Sequence, residues 1–374
     1  MSQFEFRFSE AASFHLSIIR IIAAHLVVIG HGVMGRISQL KGGMLGAPGL
    51  GVFFALSGIL ISYSTLHRMN DKKYEFKRFY IKRFARIYPA LFVSLIIMAI
   101  VDWFLFNSPG TTDILNSYNI PTFLWNLLIL QESWWGPFCF GSSRQLWPFP
   151  LFWWTYLFFG WLLLGRRNTK SKALYILGLG LFGGILVFIC LGAWTSNKLE
   201  YLTLWFLGAL FMYVINRLDS WIKKRESDQS ASSIAKTTSL KKKIKCGALL
   251  ISIILYILSA IRLLTQRDPY GLIMLLLLNF ALFFFIIFSQ YIDVEIPEKM
   301  KRRANFISSY SYSLFLIQYS AAYMLSFLRI EFNPIFSIVL MYFFSNALGI
   351  AIAYFTELRA SRIERYILKK LNLG

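Results

Sequence analysis

The chain has few of the residues that metal and redox sites use. Its 374 residues include 3 cysteines and 4 histidines. Cys139, Cys190 and Cys246 are far apart, and their spacings match neither a zinc site nor a CxxC redox pair. We therefore interpret them as free packing thiols and expect no metal centre.

Acidic residues are also scarce, with 18 Asp and Glu against 39 Lys and Arg, for a net charge of +21. A balance this basic is typical of proteins that bind nucleic acid or an anionic membrane surface. Of the 39 cations, 31 fall in alternate segments between apolar runs, and only 6 fall in the opposite segments. This distribution favours membrane lipids as the partner and argues against nucleic acid.

Charge of either sign makes up only 15% of the residues, whereas 57% are hydrophobic and 18% are aromatic. With a mean hydropathy of +0.56, this composition excludes an ordinary soluble domain. The first apolar run begins near Phe14 and has no clear cleavage pattern after it, so we expect a retained first span and not a signal peptide.

The pattern of apolar runs predicts an all-α, polytopic bundle of about ten transmembrane helices forming a single membrane domain over residues 1–374. Because Lys and Arg concentrate in alternate segments, the positive-inside rule places both termini in the cytoplasm of a plasma-membrane protein. The predicted spans are about 14–34, 46–66, 88–107, 149–165, 173–192, 200–216, 246–265, 270–289, 308–328 and 334–356.

Segments between and beside these spans give further expectations. Residues 121–131 are apolar but short, which favours an interfacial or re-entrant helix. The polar, Ser-rich and basic segment at about 217–245 is expected to be a flexible cytoplasmic linker. Asp102 is expected to reach the outer interface or to pair with Arg262, and the alternative is that both residues line the acceptor path. Glu357 is expected to lie among the cytoplasmic headgroups.

Arg20 and His31 lie inside the first apolar run, which also contains His15 and His25. Eleven residues of α-helix rise about 16 Å and turn about 1100°, so the two side chains lie on one face. A charged pair within a span is costly and indicates function. The imidazole could act as a general base, or it could be a buried histidine bonded to a neighbouring carbonyl.

The second motif is GVFFALSGILISYS, residues 51–64, in which Ser57 supplies a small polar group that we assign to substrate binding. The alternative is that its small residues only let two helices pack closely.

The third motif is FKRFYIKRFARIYPALF, residues 76–92, where Lys82, Arg83 and Arg86 share one side of a helix that enters the membrane at Tyr88. Arginine forks bind phosphate oxygens, so this patch could seat a phosphorylated donor. It could also be a basic patch that only touches lipid.

In this order and spacing, the three motifs resemble those of the membrane-bound acyltransferase 3 family. The similarity continues in LWPFPLFWWTYLFFGW near residue 146, SSYSYSLFLIQYS near residue 308 and FTELRASRIERYILKK at the end, so it covers nearly the whole chain. The resemblance implies O-acylation of a carbohydrate or lipid-linked glycan by cytoplasmic acyl-CoA, usually acetyl-CoA. It also implies that Arg20 and His31 are the essential pair and that Arg83 and Arg86 bind the donor, with Lys82 and Tyr88 beside them.

The chain departs from the family pattern at two positions. Many members have an acid after Trp-Ser-Leu at the fourth span, where this chain has Trp147-Pro148, and many have a histidine where this chain has Gln318. Glu132 is a candidate for the missing acid at the outer face. We assign Trp134 and Trp147 to the acceptor path, because aromatic side chains make good sugar platforms.

His31 would then deprotonate the acceptor hydroxyl or take the acyl group itself first. A different class also fits a polytopic chain with a buried Arg–His pair, namely a transporter or flippase for a glycan or lipid. Transfer of an acyl group from acyl-CoA without any gradient would distinguish the enzyme from the transporter.

Overall fold

A computed structural model of the protein describes residues 4–33, 43–105, 112–192, 197–226, 231–266, 268–327 and 333–373. All regular secondary structure in these ranges is helical, which confirms the all-α prediction. Two short 3₁₀ helices occupy Arg144–Leu146 and Glu357–Arg359. The α-helices are α1 (Glu10–Val33), α2 (Gly43–Arg68), α3 (Phe76–Leu105), α4 (Thr112–Ser117), α5 (Ile120–Leu127), α6 (Phe149–Asn168), α7 (Lys172–Cys190), α8 (Lys198–Glu226), α9 (Ala231–Gln266), α10 (Leu272–Gln290), α11 (Glu298–Ser309), α12 (Ser311–Phe327), α13 (Pro334–Phe355) and α14 (Ala360–Lys370).

Over its described residues, each predicted span coincides with one of these helices, and eight helical segments of the described chain are long and apolar enough to cross a bilayer. Residues 34, 106–107 and 328 of the predicted spans lie outside the described ranges. The protein is therefore a multi-pass membrane protein. The two predicted spans outside the set of eight are α6 and α12. Helix α12 has 17 residues, at the lower limit of the length that spans the hydrocarbon core.

The structure differs from the expected linker at about 217–245. Helix α8 continues to Glu226 and α9 begins at Ala231, so the described part of this segment is helical. Lysine, arginine and alanine favour helix, and Lys223 pairs with Asp219 one turn earlier at 2.7 Å. Residues 227–230 lie outside the described ranges. A loop was expected here because the segment is polar. A polar composition is equally compatible with a solvent-exposed helix.

The chain forms two compact units. The first comprises Met1–Val27, Gly43–Asn70 and Glu200–Ser308. Its core is built from apolar faces of α2, α8 and α10, where the rings of Phe211 and Phe283 stack with centroids 4.2 Å apart.

The second unit comprises Val28–Gly42, Asp71–Leu199 and Ser309–Gly374. Its core lies between α3, α6 and α12, with Leu91, Leu95, Trp153 and Leu316 fully or almost fully buried. The last turn of α1 belongs to this unit, and it carries His31. Most of the candidate site residues also lie in this second unit.

Candidate active site

The imidazole of His31 lies against helix α12. Its ring centroid is 4.7 Å from that of Tyr319, at an interplanar angle of 65°, and the side chain of Gln318 is within hydrogen-bonding reach. The Nδ1 atom is buried and has no hydrogen-bond partner among the described residues. His25 differs, because its Nδ1 bonds the carbonyl of Ile21 at 2.7 Å. His25 is thus the histidine satisfied by its own helix, whereas His31 keeps a ring nitrogen for other chemistry.

Arg20 lies on the same helix as His31, eleven residues earlier, and is partly buried. It belongs to the first unit, whereas His31 belongs to the second. The expectation that both act on one thioester therefore stays a prediction from helix periodicity.

Arg86 forms an ion pair with Glu357 at 3.6 Å. The arginine side chain is 42% exposed and the glutamate side chain is 3% exposed. The second carboxylate oxygen of Glu357 accepts hydrogen bonds from the backbone amide and hydroxyl of Ser313, at 3.3 and 3.2 Å. The expectation that Glu357 lies among headgroups was wrong: the carboxylate is buried because it has an arginine and a helix N-terminus to satisfy it.

Helix α12 connects this ion pair to the imidazole. Ser313 contacts Glu357 in the first turn of the helix, and Tyr319, six residues later, contacts His31. Six residues of α-helix rise about 9 Å. One rigid helix therefore positions the partner of the exposed arginine and the neighbour of the imidazole within about two turns.

The other residues of the basic motif have different surroundings. Arg83 is buried, and its guanidinium lies over the ring of Phe79, 5.3 Å from the centroid. Lys82 is partly buried. Tyr88 packs into the core of the second unit, with its ring 5.2 Å from that of Trp153. Of the two arginines expected to bind the donor, Arg86 is thus the one that presents its guanidinium at the surface.

Ser57 lies in the first unit and accepts a hydrogen bond from the indole of Trp205 at 3.3 Å. The neighbouring Gly58 packs so closely that a Cβ would collide with the backbone carbonyl of Trp205. This is the close helix packing that the sequence offered as the alternative for this motif. A substrate contact of Ser57 stays a prediction.

Glu132 lies in the loop after α5 and is buried, with a positive φ of 61°. One carboxylate oxygen accepts from the backbone amide of Cys139 at 3.3 Å, and the other has no hydrogen-bond partner among the described residues. Burial raises the pKa of Glu132 above its usual range, and the ammonium of Lys198 opposes that rise.

Lys198 is a buried cation that the sequence did not predict. Its ammonium donates to three backbone carbonyls: that of Glu132, that of Ile189 at 3.2 Å and that of Gly192 at 3.2 Å. Two of these carbonyls lie at the end of α7, where the helix dipole favours a cation. Lys198 therefore ties the Glu132 loop to the end of α7. In the sequence, Lys198 is only one of the six cations that fall in the opposite segments.

The two tryptophans assigned to the acceptor path, Trp134 and Trp147, differ in how exposed they are. Trp134 is 54% exposed and stacks on Trp135, which is 78% exposed, with centroids 5.0 Å apart and planes 19° apart. Trp147 is partly buried against the core of the second unit. The stacked pair offers an open aromatic face of the kind that sugar rings contact.

Asp102 does not reach the interface as expected. It is fully buried and accepts a hydrogen bond from the backbone amide of Ser142 at 2.8 Å. The adjacent Gly141 has a φ of +51°, and a Cβ there would collide with the Asp102 carboxylate. Asp102 thus holds the loop that leads into the 3₁₀ helix Arg144–Leu146.

A cavity of about 570 Å³ lies in the first unit between α1, α2, α9 and α10. Its lining is apolar, and the hydroxyls of Ser252 and Ser259 are bonded to the carbonyls of Ala281 and Met274. Among the described residues, its lining includes Tyr256 but no histidine, carboxylate or cation. Within the described residues, the second unit offers the better set of reactive side chains.

Residues 15–356 match the acyltransferase domain family Acyl_transf_3. The chain belongs to the acyltransferase 3 family. It is also similar to the peptidoglycan O-acetyltransferase OatA of Listeria monocytogenes, with 28% identity over 184 residues, which is 46% of this chain and 27% of that protein. The chain thus matches about a quarter of the length of that relative. No solved structure matches the chain.

The family match confirms the resemblance seen in the three motifs, and the long apolar helices make this chain a multi-pass membrane member of that family. The match includes the helices that carry Arg20, His31, Lys82, Arg83, Arg86 and Tyr88. The roles of the individual residues stay predictions.

Proposed function

We propose that this protein is an O-acetyltransferase that moves an acetyl group from cytoplasmic acetyl-CoA to a hydroxyl group of an extracytoplasmic glycan or lipid-linked sugar. The observation that carries the proposal is the family match over residues 15–356, which includes the His31 helix. The printed name of the Listeria relative, a peptidoglycan O-acetyltransferase, favours acetyl as the group and a wall glycan as the acceptor.

In the proposed reaction His31 is the general base. It takes the proton of the acceptor hydroxyl as the hydroxyl oxygen attacks the thioester carbonyl, so a C–O bond forms and the C–S bond breaks. The proton then passes from the imidazolium to the departing thiolate of CoA. The free Nδ1 of His31 and its contact with Tyr319 support this role, since a base needs a ring nitrogen that no protein group occupies.

The donor is proposed to bind on the cytoplasmic side through the exposed guanidinium of Arg86. A planar fork of N–H donors suits the phosphates of CoA. Arg83 and Lys82 add positive charge, and Tyr88 is assigned to the same donor site. Arg20 is proposed to hold the donor or to stabilise negative charge that develops during transfer.

The orientation follows from the distribution of charge. We place both termini in the cytoplasm of the plasma membrane and count α6 and α12 as spans, giving ten. The excess of cations in alternate segments supports this topology. Trp134, Trp147 and Glu132 then lie on the acceptor side, opposite the basic motif.

Purified protein incubated with radiolabelled acetyl-CoA and a glycan oligomer tests the proposal directly. Wild-type protein should label the oligomer without any ion gradient, which a transporter would not do. His31→Asn should lower the rate by about 10²- to 10⁴-fold, because general-base catalysis contributes that much. His25→Asn, on the same helix, is the matched control and should keep activity. Full activity in correctly inserted His31→Asn would end the proposal.

A further inference from the structure

Three buried glutamines of the second unit share an unusual arrangement. In each, the side-chain NH₂ group donates a hydrogen bond to a backbone carbonyl. The side-chain amide oxygen is buried and has no hydrogen-bond partner among the described residues. The pairs are Gln131 with Leu146 at 3.0 Å, Gln145 with Leu316, and Gln318 with Phe315 at 3.3 Å.

The orientation of these amides follows from their partners. A backbone carbonyl can only accept a hydrogen bond, so the side-chain atom facing it must be the nitrogen. What remains on each glutamine is therefore an acceptor oxygen. Buried acceptors in native proteins almost always have a donor, which for these oxygens can be ordered water, a ligand hydroxyl or, for Gln318, the nearby imidazole of His31.

The three glutamines form a connected series that ends at the imidazole. Gln131 bonds the carbonyl of Leu146, the residue next to Gln145. Gln145 in turn bonds the carbonyl of Leu316 on α12, two residues before Gln318. Gln318 lies within reach of His31. The series thus runs from the loop after α5, across the 3₁₀ helix, to the candidate general base.

The loop that begins this series is held in a strained conformation. Ile129 and Glu132, on either side of Gln131, have φ values of 57° and 61°, in the left-handed region that non-glycine residues rarely adopt. A β-branched residue there is especially unfavourable, and such strain clusters at binding sites. Glu132 adds a carboxylate oxygen that is buried and also has no hydrogen-bond partner among the described residues.

We propose that Gln131, Gln145 and Gln318 bind successive hydroxyl groups of a carbohydrate acceptor and align one of them with His31. The proposal rests on the proposed function, because it assigns the acceptor side of that reaction. It fits a polyol ligand, since every unused group in the series accepts hydrogen bonds and every sugar hydroxyl can donate one. The exposed Trp134–Trp135 stack lies in the same loop and offers the apolar face that a sugar ring also needs.

The test measures acetyl transfer from acetyl-CoA to a β-1,4-linked N-acetylglucosamine oligomer at varied oligomer concentration. Gln131→Met and Gln145→Met keep the side-chain length and remove the whole amide, so each loses the acceptor oxygen together with the NH₂ group that bonds Leu146 or Leu316. Each should raise the KM for the oligomer about 2- to 10-fold, as expected for one neutral hydrogen bond, with little change in kcat or in the KM for acetyl-CoA. Gln318→Met, beside the imidazole, should lower kcat as well.

The control is Gln290→Met in the first unit. Both groups of that amide are bonded, the oxygen to the Ser9 amide at 2.9 Å and the nitrogen to the Arg7 carbonyl at 3.1 Å. Its loss should lower thermal stability and leave the oligomer KM unchanged.

The outcomes separate the two proposals. No transfer by wild-type protein would overturn the proposed function. Transfer by wild type with an unchanged oligomer KM in Gln131→Met and Gln145→Met would overturn the glutamine series alone. In that case the oxygens would serve only ordered water. A loss of stability with no change in KM would assign these glutamines a structural role and would also contradict the inference.

Discussion

The guanidinium of Arg86 and the buried carboxylate of Glu357 lie 3.6 Å apart, which joins the basic motif of α3 to the segment after α13. Because Glu357 is also bonded to Ser313, the pair fixes the direction of the arginine relative to α12. An arginine held in this way loses less conformational freedom when it binds an anion. Under the donor role proposed for Arg86, Glu357 would act on donor binding through this arginine.

Glu357→Gln should weaken acetyl-CoA binding, because it removes the charge that holds Arg86 and keeps the shape of the side chain. We expect the KM for acetyl-CoA to rise about 3- to 10-fold, equivalent to about 0.7–1.4 kcal/mol. The KM for the glycan oligomer should not change. The exposed Glu295 provides the matched control in Glu295→Gln. Tighter acetyl-CoA binding in Glu357→Gln would mean that the carboxylate competes with the donor for Arg86.

The sequence predicted those features that depend on residues close together in the chain, and it missed those that depend on contacts between distant segments. The helix at every predicted span and the placement of His31 in α1 followed from apolar runs, which report on the chain's own segment. The burial of Lys198 could not be predicted in this way. Its ammonium is bound by the backbone carbonyls of Glu132, Ile189 and Gly192, which only the tertiary fold brings together. Glu357 likewise sits in a stretch that resembles a headgroup contact until Arg86 is placed beside it.

The loop after α5 shows the same limit. Its residues looked polar and aromatic, and the sequence identified Glu132 and Trp134 from chemistry alone. The unused oxygens of Gln131 and Gln145 depend on which side-chain atom meets which backbone carbonyl. No periodicity carries that information, and a glutamine in a polar loop gives no sign that it is buried.

Lys198→Met should destabilise the protein, since it removes the ammonium from three buried carbonyls, of which that of Ile189 keeps a backbone donor, the amide of Gly192 at 3.1 Å. Hydrogen bonds to a charged group contribute about 1.5–3 kcal/mol each when removed, and some of that is recovered by the apolar replacement. We expect a loss of about 2–3 kcal/mol, seen as a lower melting temperature of the detergent-solubilised protein. The exposed Lys170 serves as the control, and Lys170→Met should melt like wild type. An unchanged melting temperature in Lys198→Met would show that the hydrogen bonds of this ammonium to the backbone carbonyls do not stabilise the protein.

Glu132 should make stability depend on pH. Burial raises its pKa in the folded protein above the ordinary value of 4.5, against the opposing charges of Lys198 and Arg144. The folded state then binds more protons than the unfolded state, so the stabilisation is complete below pH 4.5 and is lost as pH rises through the folded pKa. Melting temperature measured against pH should fall across that window in wild type.

Glu132→Gln removes the titrating group and keeps the side-chain shape. Its melting temperature should therefore be flatter across the same window than that of wild type. A slope identical to that of wild type would assign the pH dependence to another group.

Gly141 should be intolerant of a side chain for two physical reasons. Its φ of +51° is unfavourable for an alanine, and an added Cβ would collide with the buried carboxylate of Asp102. Gly141→Ala should cost about 1–3 kcal/mol and lower the melting temperature. Gly180→Ala in α7 is the opposite case, because nothing lies within 4 Å of its Cβ position. It should stabilise the protein by about 0.5–1 kcal/mol, since alanine favours helix over glycine.

Gly141→Ala should also raise the KM for the glycan oligomer, because the Asp102–Ser142 bond leads directly into the segment that carries Gln145. A Gly141→Ala protein with normal stability and normal KM would show that this loop adapts freely and does not set the position of Gln145.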